Sequence, residues 1–234
     1  MFLDRYHNIT DDLVRISERQ GSRFAKEIAG DFNPIHDPGA RRYCVPGDLL
    51  FALILGHYGL YPRMTFYFRG MVTGDLPLRL SADDGNQLQV SDAEGRTYLD
   101  VEREGEGIRD AAVTEAFVRR YSAFSGRNFP EFLEPLMREQ GVMFNPDRPL
   151  VIYDSMAFEL TGPVADDVSM DLTEATLDVN GRRGEEHLRF TVHSGGQTVG
   201  HGTKRVLLSG LQPLDQARLQ AFVDDYLERR RTFS

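Results

Sequence analysis

The spacing of apolar residues changes character along the chain. Leu13, Ile16, Phe24 and Ile28 fall roughly on one face, which predicts a helix over 10–29 opened by Thr10 or Asp11. The stretch 30–38 then breaks helical spacing, because Gly30, Asn33-Pro34 and Asp37-Pro38 are turn signals. PGDLLFALILGHYGLY (46–61) is apolar in almost every direction, as expected of a buried helix. From Met64 to Glu104 the period drops to two: TFYF, PLRLS, QLQVS and TYLDVE alternate, separated by turns such as DDGN and AEG. This predicts an antiparallel meander. Residues 110–140 are helical again, with a break at SGRNFP. Strand texture resumes at LVIYDSMAFEL and runs through VSMDLTEATLDV, HLRFTVHS and TVGHGTKRVLL to about residue 209. The tail, PLDQARLQAFVDDYLERRR, has the spacing of an amphipathic helix with a basic end.

Helices then strands therefore occur twice. Three local matches share that order: FRGMVTGDL (68–76) with LTGPVADDV (160–168), EGRTYLDV (94–101) with GGQTVGHG (195–202), and AGDFNP (29–34) with SGRNFP (125–130). They predict two copies of one α+β unit, each a central buried helix wrapped by an antiparallel sheet. The expected divisions are 1–108, a degenerate copy at 109–210, and a C-terminal helix at 211–234. A single α+β domain with coincidental turn residues is the alternative.

The chain has 234 residues, 41% hydrophobic and 27% charged, enough for a sizeable core without staples. A net charge of −9 argues against a general nucleic-acid binder but leaves room for a local basic pocket. The longest apolar run, Leu49 to Leu55, is too short to cross a bilayer, which takes about 20 residues. The N-terminus lacks the apolar stretch of a signal peptide, and Cys44 is the only cysteine. These features predict a cytoplasmic protein with no membrane association. No G-x-G-x-x-G, P-loop or metal-ligand spacing is present, so no cofactor or metal is expected.

The stretch FAKEIAGDFNPIHDPGARRYCVPGDLL (24–50) carries the candidate chemistry. A helix stops at Gly30, and Pro34 stiffens the turn that follows. Asp31 and His36 are close enough in sequence to meet in one pocket. A carboxylate and an imidazole around one water form an acid/base pair that can add or remove water. Pro46-Gly47 then opens the apolar helix, whose free N–H groups can face a developing oxyanion. Spacing alone also suits a loop in which Asp31 caps a turn and His36 satisfies a core carbonyl.

AGDFNPIH resembles the signature of the MaoC-like, or (R)-specific enoyl-CoA hydratase, branch of the hotdog superfamily. Phe24, Ala29, Gly30, Asp31, Asn33, Pro34, Ile35, His36, Ala40 and Gly47 stand where that pattern puts equivalent residues. The whole chain also resembles an uncharacterised proteobacterial family sharing FNPIHD and PGDLLF. The resemblance implies a double hotdog, α+β, with two units forming a pseudo-dimer in one chain. It implies that Asp31 and His36 activate the water that adds across a trans-2-enoyl thioester of CoA or acyl carrier protein. The product would be an (R)-3-hydroxyacyl thioester, with the Gly47 amide on the thioester oxygen. Asn33, Arg41 and Arg42 are the candidate substrate-binding residues, the arginines for carrier phosphates. Arg127 and Phe132 stand opposite Asp31 and His36, so the second unit would shape the acyl pocket. Further pairing of two such chains is left open. A non-catalytic acyl-thioester or lipid-binding module is the alternative, and a thioesterase a third.

Three features depart from that family's pattern. The stretch from His36 to Gly47 is short, which puts substrate size in question. Leu55 occupies the position of a small hydroxyl residue that supports the aspartate, so Asp31 would lack a donor. Asp48 either caps the helix and meets its dipole or, turned into the pocket, opposes an oxyanion. Cys44 reads as packing, His57 as structural, and His193 and His201 as neighbours on adjacent strands.

Overall fold

A computed structural model describes residues 2–233. The chain opens with a hairpin, β1 (Asn8–Thr10) and β2 (Leu13–Arg15), in place of the first turns of the expected helix. Asp11 and Asp12 take φ of 53° and 59°, the positive values a two-residue hairpin turn needs. The helix α1 (Glu18–Phe24) starts later, where Ser17 and Gln20 form a reciprocal capping box. It runs into a wide π turn, Ala25–Ala29, ended by Gly30 at φ 67°.

Ten strands form one antiparallel sheet. Its members are β1 and β2, then β3 (Arg63–Phe68), β4 (Leu78–Ala82), β5 (Gln87–Asp92) and β6 (Thr97–Glu104). The second half adds β8 (Val151–Leu160), β9 (Ser169–Asn180), β10 (Arg183–Ser194) and β11 (Gln197–Ser209). The order is β1-β2-β4-β5-β6-β3-β8-β11-β10-β9. β4, β5 and β6 form the expected meander, but β3 does not adjoin β4. It pairs with β6 on one side and β8 on the other. Simple alternation cannot reveal this, because β3 buries Met64 and Phe66 against elements of both halves.

The order β6-β3-β8-β11 is symmetric about the β3–β8 join. The repeat segments 68–76 and 160–168 leave β3 and β8 at equivalent points, and 94–101 and 195–202 lead into β6 and β11. Two long helices, α2 (Gly47–Tyr58) and α3 (Ala111–Gly126), pack over the join. Phe51 of α2 meets Phe66 of β3 at 5.2 Å between ring centres and Tyr121 of α3 at 4.7 Å, while Phe117 of α3 meets Phe158 of β8 at 4.9 Å. Burying such rings dominates the stability of the core. The architecture is the expected α+β double hotdog.

A smaller core forms beyond the second half. There α4 (Leu133–Glu139) and the ribbon of β7 (Val142–Met143) and β12 (Gln212–Pro213) gather around Leu133, Met137, Phe144 and Leu219. The C-terminal helix α5 (Gln216–Thr232) supplies Leu219, then continues to the 31–37 segment. Among the described residues no helix is long and apolar enough to cross a membrane.

Candidate active site

Asp31 follows the π turn, its N–H bonded to the Ala25 carbonyl at 2.8 Å. The Asn33 N–H donates to Asp31 Oδ1 at 2.8 Å, and the Tyr226 hydroxyl of α5 donates to the same oxygen at 3.2 Å. Asn33 Oδ1 accepts from the Ile35 N–H, capping the short turn Pro34–His36 that carries the imidazole. His36 Nδ1 lies 2.7 Å from the Cys44 carbonyl, so that nitrogen carries a proton. This leaves Nε2 facing Asp31 Oδ2 at 3.6 Å. The gap is too long for a direct hydrogen bond, and a water bonded to both atoms would sit to one side of the pair rather than on the line between them.

Burial disfavours the charged form of both groups. It is outweighed at Asp31 by His36 and the Asn33 N–H, which hold the carboxyl below its ordinary range. At His36, burial is outweighed by Asp31 and the Cys44 carbonyl, which push the imidazole up. Each group thus favours the charged form of the other, the carboxylate at Asp31 and the imidazolium at His36.

Asp31, Asn33, His36 and Gly47 line one cavity of about 390 Å³ between the halves. Gly47 packs against two aromatic rings: a Cβ there would lie 3.0 Å from both Phe68 and Tyr153. α1, α3 and α5 have side-chain caps, whereas Pro46 gives α2 none. Leu49 N–H already donates to the Pro46 carbonyl at 3.0 Å, so among the described residues it is the Gly47 and Asp48 N–H groups, at the cavity, that keep no partner. Arg41 and Arg42 are exposed and outside the lining. Cys44 lines the cavity, but burial pushes its thiol up to about 11, unlike a reactive thiolate. His57 is exposed at the far end of α2, and His193 and His201 lie on β10 and β11.

Two expectations change. Leu55 is fully buried, and Asp31 instead takes a hydroxyl donor from Tyr226, 195 residues away in sequence. Asp48 makes no capping bond; it lines the cavity, 8% exposed, and its Oδ1 has no hydrogen-bond partner among the described residues. Sequence reading also missed Lys204, which is 5% exposed on β11 and lines the same cavity. Its Nζ donates to Ser125 Oγ at 2.7 Å and lies 4.4 Å from the centre of the Tyr153 ring. Lys204 is one of two lysines in an arginine-rich chain, at an inward position of an alternating strand. That was its available signal.

Tyr226 is 2% exposed and also accepts from the Phe32 N–H at 3.0 Å. Tyr226→Phe leaves both groups short of a partner. We expect a loss of about 1–2 kcal/mol in unfolding free energy, with the Asp31 carboxyl titrating higher by carbon NMR.

Burial also pushes Asp48 up to about 6 and Glu186 up to about 7, against the pull of Lys204 on each. The folded state holds these protons where the unfolded chain has released them, so ionising them costs stability. His36 acts in the same direction, since its contribution is lost as pH rises through its raised value. Denaturant unfolding from pH 4.5 to 8 is therefore expected to show falling stability, with a weaker fall in Asp48→Asn/Glu186→Gln.

A crystal structure of a conserved hotdog-fold protein of unknown function from Alicyclobacillus acidocaldarius aligns over 92% of this chain and 99% of its own, at 9% identity and TM-score 0.49. A MaoC-like dehydratase aligns over 88% and 99%, at 9% identity and TM-score 0.43. An acyl-CoA thioesterase II from Mycobacterium marinum aligns over 92% and 99%, at 11% identity and TM-score 0.41. No curated protein sequence matches the chain. The model of one family, described as a protein of unknown function (DUF3581), matches residues 1–217, and the chain belongs to that family.

Proposed function

We propose that this protein adds water to trans-2-enoyl thioesters, and removes it from (R)-3-hydroxyacyl thioesters in the reverse direction. The Asp31–His36 pair carries the reading: Oδ2 and Nε2 stand 3.6 Å apart on the cavity that also receives the uncapped start of α2. In hydration, a water contacting both groups from the cavity side gives a proton to the Asp31 carboxylate as its oxygen bonds to C3. The C2–C3 π electrons move toward the thioester carbonyl, whose oxygen gains charge at the Gly47 N–H. The His36 imidazolium delivers a proton to C2, and the proton on Asp31 returns to His36. One water is consumed and both groups recover their starting forms.

The second half supplies wall rather than a second acid/base pair. Arg127 is paired with Glu131 at 2.6 Å, and Phe132 is buried. Phe129, Leu133 and Phe222 give the cavity an apolar end suited to an acyl chain. Arg41 and Arg42, exposed between His36 and the start of α2, are the cations proposed for carrier phosphates.

The test is incubation with trans-2-enoyl-CoA of short to long chain, following the enoyl chromophore and free thiol together. The expected result is loss of the chromophore with the thioester intact. Thiol release would favour a thioesterase. Thermal stabilisation without turnover at any chain length would favour a binding module.

A further inference from the structure

Asp48 poses a problem for the reaction proposed above. A carboxylate beside Gly47 would oppose negative charge on the thioester oxygen, yet the acid is buried on the cavity and its Oδ1 is unpartnered among the described residues. Charged and polar groups face it from several elements: Asp31 and His36 from the motif loop, Lys204 from β11, Ser125 and Tyr121 from α3, and Tyr153 from β8. The Lys204 ammonium donates to Ser125 Oγ at 2.7 Å, and Lys204 and Ser125 both pull the Asp48 carboxyl toward its ionised form against burial. Tyr121, buried, and Tyr153, partly buried, share a hydrogen bond between their hydroxyls beside this group.

We propose that Asp48, as the neutral carboxylic acid, is a second hydrogen-bond donor to the thioester oxygen beside the Gly47 N–H, and that Lys204, acting through Ser125, is the positioning residue that keeps its proton exchangeable. The inference rests on the hydratase reading of Asp31 and His36. A neutral acid removes the opposition to the oxyanion and turns an orphaned polar group into a donor aimed where charge develops. No proton leaves Asp48 for the substrate; it remains shared along the hydrogen bond as charge builds and decays. Without Lys204 the buried acid would hold its proton more tightly, and with it the group titrates near working pH, at about 6. The half that lacks the motif thereby contributes to the chemistry as well as to the wall.

The experiment compares kcat against pH for wild type, Asp48→Asn, Asp48→Leu and Lys204→Met, with thermal unfolding of each. In wild type, kcat is expected to fall as pH rises through the Asp48 titration. Asp48→Asn keeps an N–H donor and loses that titration, so its fall is deferred to His36, above 6.5. Asp48→Leu is expected to lose about 10²-fold in kcat, the scale of one oxyanion donor, with KM little changed and no loss of fold. Lys204→Met is expected to move the fall to higher pH, a shift that a purely structural lysine would not produce. Unchanged kcat in Asp48→Leu, or an alkaline limb that stays in place in Asp48→Asn, would overturn the assignment. If wild type hydrates no enoyl thioester while Asp48 still titrates higher in Lys204→Met by infrared spectroscopy, the hydratase reading and the donor role fall together and the Lys204–Asp48 coupling stands. No such movement overturns the coupling itself.

Discussion

Asp31→Asn is expected to lower kcat by about 10³-fold, within the range typical of a positioned acid/base group, while the protein stays folded. Asparagine preserves the shape, and its Oδ1 still accepts from the Asn33 N–H and the Tyr226 hydroxyl, now 2.8 and 3.2 Å from the aspartate oxygen. What it loses is the capacity to take a proton from water. His36→Ala is expected to cost a similar factor, because the imidazolium is the only charged group placed opposite Asp31 Oδ2 within 4 Å among the described residues. The double variant should be little worse than either single one, since the two act as a unit. On the acid side, kcat should hold down to below the ordinary carboxylate value of 3.8, because Asp31 stays ionised there. An Asp31→Asn protein with native unfolding behaviour and wild-type turnover would remove Asp31 from the mechanism.

Gly126→Ala should produce the second large effect, in stability and turnover together. Gly126 ends α3 and lies against the π turn of the motif: a Cβ there would sit 2.0 Å from the Ala29 carbonyl oxygen. The obstacle is backbone, so no side-chain rotation relieves it, and α3 or the turn must move. We expect a loss of about 3 kcal/mol, at the upper end for overpacking, or roughly 6–12 °C in Tm for a chain of this size. Ala29 is two residues before Asp31, so displacement of the turn also moves the carboxylate. A shift of about 1 Å is enough to cost about 10²-fold in rate. Gly85→Ala, in the turn between β4 and β5, is the neutral comparison, since its Cβ would meet nothing closer than 3.5 Å.

This contact also explains what the repeat was reporting. AGDFNP and SGRNFP lie in the motif and its degenerate counterpart, and Gly126 of the second meets Ala29 of the first at the centre of the pseudo-dimer. The repeat, the buried α2 and the strands of the second half were legible because each follows from local spacing. The first helix was misread because Leu13 and Ile16 satisfy helical spacing, while Asp11-Asp12 and the Ser17–Gln20 box decide for a hairpin followed by a later start. The position of β3 was not legible, since pairing partners are set by the whole sheet.

In the site, Asp31, Asn33, His36 and Gly47 were visible as one contiguous pattern and share one cavity. Tyr226 and Lys204 reach that cavity from distant elements, and nothing local to either marks its destination. The tail looked like a separate amphipathic helix. Arg229 to Asp37 at 2.7 Å and Tyr226 to Asp31 tie it to the motif instead. Asp48 stood in view at the helix start, where capping is the ordinary role, and only its burial and unpartnered oxygen distinguish it.

The most direct test of the central claim is where solvent atoms go. Purified protein is given trans-2-enoyl-CoA in water enriched in both oxygen-18 and deuterium, and the products are read by mass spectrometry and NMR. The expected product is an intact 3-hydroxyacyl thioester with one oxygen-18 at C3 and one deuterium at C2, both incorporated about 10³-fold more slowly by Asp31→Asn. Oxygen-18 in a released carboxylate, or unlabelled enoyl-CoA recovered at every chain length from folded wild-type protein, would contradict it.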